Sequence, residues 1–301
     1  MSLIQSFRLI QTATVFVFLG RAWQHLFWDA PFRVLLWDEL WMKRIIEGIF
    51  HTPWERYITS MALDDGIQYS IQGVGVFYLL CAIVAAFIFK VPKWTAKILL
   101  LGAAGLFFLA CLYCKEKFFS LGQLLEYSTQ IVSPLLLYFW VYPKWKAATY
   151  RLIAKVAIAF TFICHGLYAV NYYPRPGNFV EMILNTFGVS EATAVQLLLA
   201  AGIIDFMVSI AIFIPGKIAK VALSYIVFWG FATTFARYTS YLDFSYLLES
   251  LSQWTWQVMI RFPHFMIPLA ILIFQEQRRG LRMTSLQRNQ GRRKPILFPE
   301  T

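Results

Sequence analysis

Apolar positions in this chain gather into long blocks separated by short polar clusters. Eight blocks come close to the roughly 20 mostly apolar residues that a helix needs to cross a hydrocarbon core of about 30 Å. The pattern predicts helices near 10–27, 67–89, 94–114, 124–142, 151–171, 195–214, 218–236 and 249–274. Only Pro215 and Gly216 separate the sixth from the seventh, which demands a tight helical hairpin. A different pattern occupies residues 37–50, WDELWMKRIIEGIF. There Leu40, Trp41, Ile45 and Ile49 recur at helical spacing opposite charges, as in an amphipathic helix lying at a membrane surface.

Composition agrees. Hydrophobic residues make up 59% of the chain and charged residues 14%, against about 45–50% and about 25% in soluble domains. The net charge of +11 is distributed by side rather than by patch. With the N-terminus inside and eight crossings, the inside segments carry 17 of the 27 basic residues and only Glu276 and Glu300 as acids. Every short loop then obeys the positive-inside rule, so both termini are expected in the cytoplasm. The basic run from Arg278 to Lys294 reads as an anchor for anionic lipid, not as a nucleic-acid site. The N-terminal apolar stretch lacks a small-x-small cleavage site and reads as a retained first span.

The chain also repeats itself. LLEYSTQ at 124–130 matches LLESLSQ at 247–253, and VPKWTAKILL at 91–100 matches IPGKIAKVAL at 214–223, both offset by 123 residues. At the start of each half, FLGRAWQHLF from Phe18 aligns with FICHGLYAVN from Phe162, which places Arg21 on His165. The change of offset reflects an insertion of about 21 residues in the first outer loop. The expected fold is therefore an all-α polytopic membrane protein, its eight transmembrane helices arranged as two parallel-repeat four-helix bundles. Residues 1–145 form the first repeat with an outer-face amphipathic insertion at about 37–60, residues 146–276 the second, and residues 277–301 a basic cytoplasmic tail.

One charge interrupts the sixth block: Asp205 in LLLAAGIIDFMVSIAIFIP. A carboxylate at midplane costs at least about 2.5–3.5 kcal/mol and should face the bundle interior and find a partner. Arg261 in the eighth block lies at a similar depth, and the repeat maps both charges onto uncharged Ala82 and Tyr138. The expectation is an Asp205–Arg261 ion pair with His264 one turn away. It either fixes helix register or polarises a small polar ligand such as a quinone headgroup. Near the predicted outer helix ends, Arg21, His25, His165 and Tyr168 could join Glu126 and Glu249 in an outward-facing polar cleft, or sit at headgroup level. Cys111 and Cys114 form a C-x-x-C that reads either as a redox pair or as ordinary core residues. No spacing supports a metal site. Gly-rich phosphate loops, nucleophile elbows and H-E-x-x-H are absent, which excludes the soluble-enzyme chemistries they carry.

The second half resembles the DoxX superfamily of four-helix membrane proteins, whose relatives include the small subunit of thiosulfate:quinone oxidoreductase. The resemblance rests on His165-Gly166, on PRPGNFVEMI at 174–183, on FGVSEATA at 187–194, and on Gly202 followed by Asp205. Ala169 and Val170 stand where members commonly carry a lysine, so no lysine-dependent role carries over. The resemblance implies a subunit in a bacterial inner membrane that binds a quinone or similar lipid-soluble molecule and supports a redox partner. Asp205, Arg261, His264, His165, Tyr168 and Glu249 are its candidate ligand-binding residues. If the chain is an enzyme, it is a quinone-linked oxidoreductase subunit. The alternatives are a non-enzymatic scaffold that docks a protein on its outer face and a small-solute transporter.

Overall fold

In the computed structural model residues 2–143 and 146–274 are described, and the regular structure among them is entirely helical. The basic tail at 277–301 lies outside the described residues. A long first helix, α1 (Ser2–Phe27), leads through α2 (Arg33–Leu36) to α3 (Glu39–Ile49) and α4 (Trp54–Thr59), which occupy the insertion. Then follow α5 (Met61–Ala86), α6 (Ile98–Glu116), and a helix broken at Tyr127 into α7 (Leu121–Glu126) and α8 (Ser128–Val141). The second half holds α9 (Ala147–Ala169), α10 (Gly177–Phe187), α11 (Glu191–Ala211), α12 (Lys217–Tyr241), α13 (Leu247–Met259) and α14, residues 262–274.

Six helical stretches among the described residues are long and apolar enough to cross a membrane. They contain α5, α6, α9, α11, α12 and the α13–α14 pair, and they fit a multi-pass membrane protein. Two of the eight predicted spans fall outside this set. α1 is 26 residues long but carries Arg21, Gln24 and His25 near its end, and the span expected at 124–142 is interrupted where α7 meets α8.

Local chemistry sets the boundaries. Ser190 caps α11 by accepting from the Thr193 amide at 3.3 Å, and Glu191 places a negative charge in its first turn. The α11–α12 hairpin forms as the sequence predicts, with Gly216 at φ 99° supplying a turn that other residues resist. Lys155 of α9 donates to the Ile212 carbonyl at 2.6 Å, satisfying an acceptor that the end of α11 leaves free. In the eighth block Pro263 lacks the amide that would continue α13, and the chain breaks at Ile260 and Arg261 before α14 begins.

In lipid, helices associate through close packing more than through an aqueous hydrophobic effect. Gly166 of α9 and Gly202 of α11 meet this need together. A Cβ on Gly166 would lie 3.0 Å from the Gly202 carbonyl oxygen, and one on Gly202 would lie 3.1 Å from that of Gly166. The first helix of each half also touches the last of the other: α1 packs on α13 as well as on α5 and α8, and α9 on α7 and α8 as well as on α11. One buried apolar core runs through both halves, from Phe18 and Leu106 to Phe162, Ile226 and Ile267.

The helix α3 is amphipathic, as the pattern over 37–50 predicts. Asp38 caps α3 by accepting from the Trp41 amide at 3.1 Å and pairs with Lys115. Leu40, Trp41, Ile45 and Ile49 are all exposed, while Ile46 is buried.

Candidate functional site

A cavity of about 340 Å³ opens among the helices of the second half, with Glu126 of the first half in its lining. Its walls are mostly apolar. Phe179, Met182, Ile183 and Phe187 of α10 form one side, Leu198 and Ala201 of α11 another, and Phe235 with its neighbours on α12 a third. Charged and polar side chains interrupt these walls: Glu126, His165, Asp205, Trp229, Arg237 and Arg261, together with the hydroxyls of Thr186, Thr233 and Thr239. Helical spacing aims them. Leu198, Ala201 and Asp205 share a face of α11 at intervals of three and four, and Trp229, Thr233 and Arg237 share a face of α12 at intervals of four.

Glu126 is the hub. Its Oε1 lies 3.5 Å from Nη2 of Arg261 and 3.8 Å from Nε2 of His165. These three side chains come from α7, from the break between α13 and α14, and from α9. The His165 ring packs against His264, with centroids 5.4 Å apart. His264 in turn is held by Thr129, its Nδ1 lying 3.2 Å from the threonine hydroxyl, and its Nε2 has no hydrogen-bond partner. Close contact between helices makes this possible: a Cβ on Gly230 of α12 would stand 2.9 Å from the His264 carbonyl oxygen.

This geometry corrects the expected Asp205–Arg261 ion pair, because Arg261 turns instead to Glu126 of the other half. Asp205, buried at 2% exposure, receives a hydrogen bond from the Trp229 indole and leaves Oδ1 without a partner. Both residues still face the same cavity. The polar cleft expected at the outer helix ends is divided. Arg21 and His25 are fully buried in the first half. There the Arg21 guanidinium donates to Gln24 at 2.6 Å and Gln130 at 2.7 Å and lies over the Tyr127 ring at 4.9 Å. His25 Nδ1 lies 2.7 Å from the Arg21 carbonyl. Glu249 is exposed in the first turn of α13 and does not line the cavity. Tyr168 is buried against α7, its hydroxyl 3.3 Å from that of Ser120. Cys111 and Cys114 are free thiols one turn apart in α6, and Cys114 donates to the Ser120 carbonyl. Among the described residues no three His, Cys, Asp or Glu side chains converge to hold a metal ion.

Sequence reasoning passed over Arg237 and Trp229. Arg237 is 3% exposed; its Nη1 donates to the Thr233 carbonyl at 2.7 Å, and its Nε has no partner. Placing the end of the seventh span at 236 put this arginine just beyond it, whereas α12 runs on to Tyr241. The four-residue spacing from Trp229 through Thr233 was the available signal.

Comparison with protein-family models, with curated proteins and with solved structures finds no match for this chain.

Proposed function

We propose that the protein is a multi-pass membrane protein that binds a lipid-soluble small molecule in the second-half cavity, its polar head toward Glu126, Arg261 and Arg237. The observation that carries this reading is the combination of an apolar cavity with polar side chains left short of partners. Ligand sites are typically concave and mostly apolar, with a few placed polar groups. At about 340 Å³ the cavity falls at the small end of the roughly 300–1,000 Å³ range of such sites. It suits a head and the first part of a tail.

A quinone is the ligand class that the DoxX resemblance brings to this site, and support of a redox partner is the role that goes with it. On this reading α1 and the α7–α8 pair complete eight crossings, with both termini in the cytoplasm of a bacterium. The halves are parallel repeats whose first and last helices exchange contacts. The exposed apolar face of α3 lies in the outer interface, where a partner protein would dock.

Overpacking the cavity tests the binding reading. Ala201 lines it, and Ala201→Trp fills its middle. Decylubiquinone titrated into the protein in lipid nanodiscs should bind saturably, and the variant should lose that binding while keeping its helical circular dichroism. Equal binding by both proteins would place the ligand elsewhere.

A further inference from the structure

Resting on the reading of the cavity as a ligand site, we infer that its natural occupant is an acidic amphiphile, a single apolar tail bearing a carboxylate or phosphate that Arg237 and Arg261 grip. The inference selects within that reading, because a neutral headgroup leaves the buried Arg237 guanidinium without an oxyanion in contact.

The charges facing this end of the cavity decide the matter. Arginine stays protonated in proteins, so Arg237 and Arg261 bring two fixed positive charges. Glu126 brings one negative charge, and it is placed on Arg261 and His165. The remaining carboxylate on the lining, Asp205, is engaged by the Trp229 indole and belongs to no ion pair with either arginine among the described residues. Arg237 therefore has no carboxylate of its own, although it is 3% exposed. Its hydrogen-bonding partner is the Thr233 carbonyl, and its Nε–H is unused. A buried charge left uncompensated is strongly destabilising, so such a group is kept where something else supplies the countercharge. A guanidinium is suited to carboxylate and phosphate oxygens because its planar fork offers parallel donors. The rest of the lining fixes the other half of the ligand. Phe179, Met182, Ile183, Phe187 and Leu198 form an apolar wall interrupted only by threonine hydroxyls, so what extends from the head along it should be mainly hydrocarbon or aromatic.

Decanoate and decanol share a chain and differ in head charge. Each is titrated into the full-length protein in nanodiscs by calorimetry, with empty nanodiscs as the blank. A hydrogen bond to a charged group contributes about 1.5–3 kcal/mol, so decanoate should bind about ten- to a hundredfold more tightly than decanol. Arg237→Gln should erase that preference, and Arg237→Lys should keep part of it. The comparison on the unaltered protein decides the question even where Arg237→Gln lowers stability. Equal affinities for the two probes, or a preference that survives Arg237→Gln, would overturn the inference. Decylubiquinone bound in the cavity without any preference for decanoate would remove the charge selection and leave the binding reading standing. Failure of all three probes to bind would remove both.

Discussion

Replacing Glu126 by glutamine should be among the most damaging single changes around the cavity. The Glu126 and Arg261 side chains are 15% and 16% exposed, so water does little to replace either partner. Breaking a buried pair costs about 3–5 kcal/mol, because a charge is left uncompensated. The 3.5 Å separation is longer than the roughly 2.7–2.9 Å of a tight charge-assisted hydrogen bond. That places the expected loss at the lower end, about 3 kcal/mol. Arg261→Gln should also destabilise, and the double variant should lose less than the sum of the two, with a coupling of about 2 kcal/mol. The assay is unfolding by sodium dodecyl sulfate in mixed micelles, followed by tryptophan fluorescence. Asp205→Asn combined with Arg261→Gln provides the contrast. Those two residues do not pair, so their coupling should be clearly smaller than that of Glu126 and Arg261. Additivity for Glu126 and Arg261, or strong coupling for Asp205 and Arg261, would refute the assignment of partners.

Further consequences can be checked on the same protein. Gly230→Val drives side-chain atoms into the His264 backbone, where a Cβ would already lie 2.9 Å from the carbonyl oxygen. It should lower stability by about 1–3 kcal/mol with helicity retained, and an unchanged unfolding midpoint would count against the close approach of α12 and α14. Lys155→Met removes the donor that reaches the Ile212 carbonyl. It should cost about 1 kcal/mol and speed amide exchange at the α11–α12 turn, whereas unaltered exchange would mean the lysine does not cap α11. The Lys115 ammonium beside Asp38 holds that carboxyl below its usual range. A depressed carboxylate contributes stability that is fully present above its unfolded value, near pH 4, and lost as pH falls through the folded value. Asp38→Asn keeps the cap of α3. Its melting temperature should trail the parent's at neutral pH and converge with it as pH drops below about 4. A gap that persists in acid would show that the pair is not its source.

Length and hydrophobicity made the helices legible, since apolar blocks of about 20 residues have few alternatives in lipid. The hairpin at Pro215 and Gly216 and the amphipathic helix over 37–50 were legible for equally local reasons. α10 was not, although it walls the cavity: its eleven residues are too few to register as a span, and they follow a proline-rich turn. The burial of Asp205 was read correctly and its partner was not. Rise per residue gives the height of a side chain along its helix, and Asp205 and Arg261 do lie at comparable heights along α11 and the α13–α14 pair. Height says nothing about azimuth or about which helix is the neighbour. The exchange of contacts between halves brings Glu126 of the first half to Arg261 of the second, and no local pattern in the sequence reports such a long-range approach. The expected repeat sets Ala82 and Tyr138 opposite these two charges, which suggested joint loss of a pair. Asp205 and Arg261 instead meet separate partners around one cavity.

Native mass spectrometry of the full-length protein, released from lipid nanodiscs without prior delipidation, addresses the cavity most directly. The account predicts an adduct of one small amphiphile per chain on the unaltered protein, absent from Ala201→Trp and reduced in Arg237→Gln. An unaltered protein that carries no adduct, or an adduct retained in full by Ala201→Trp, would contradict it.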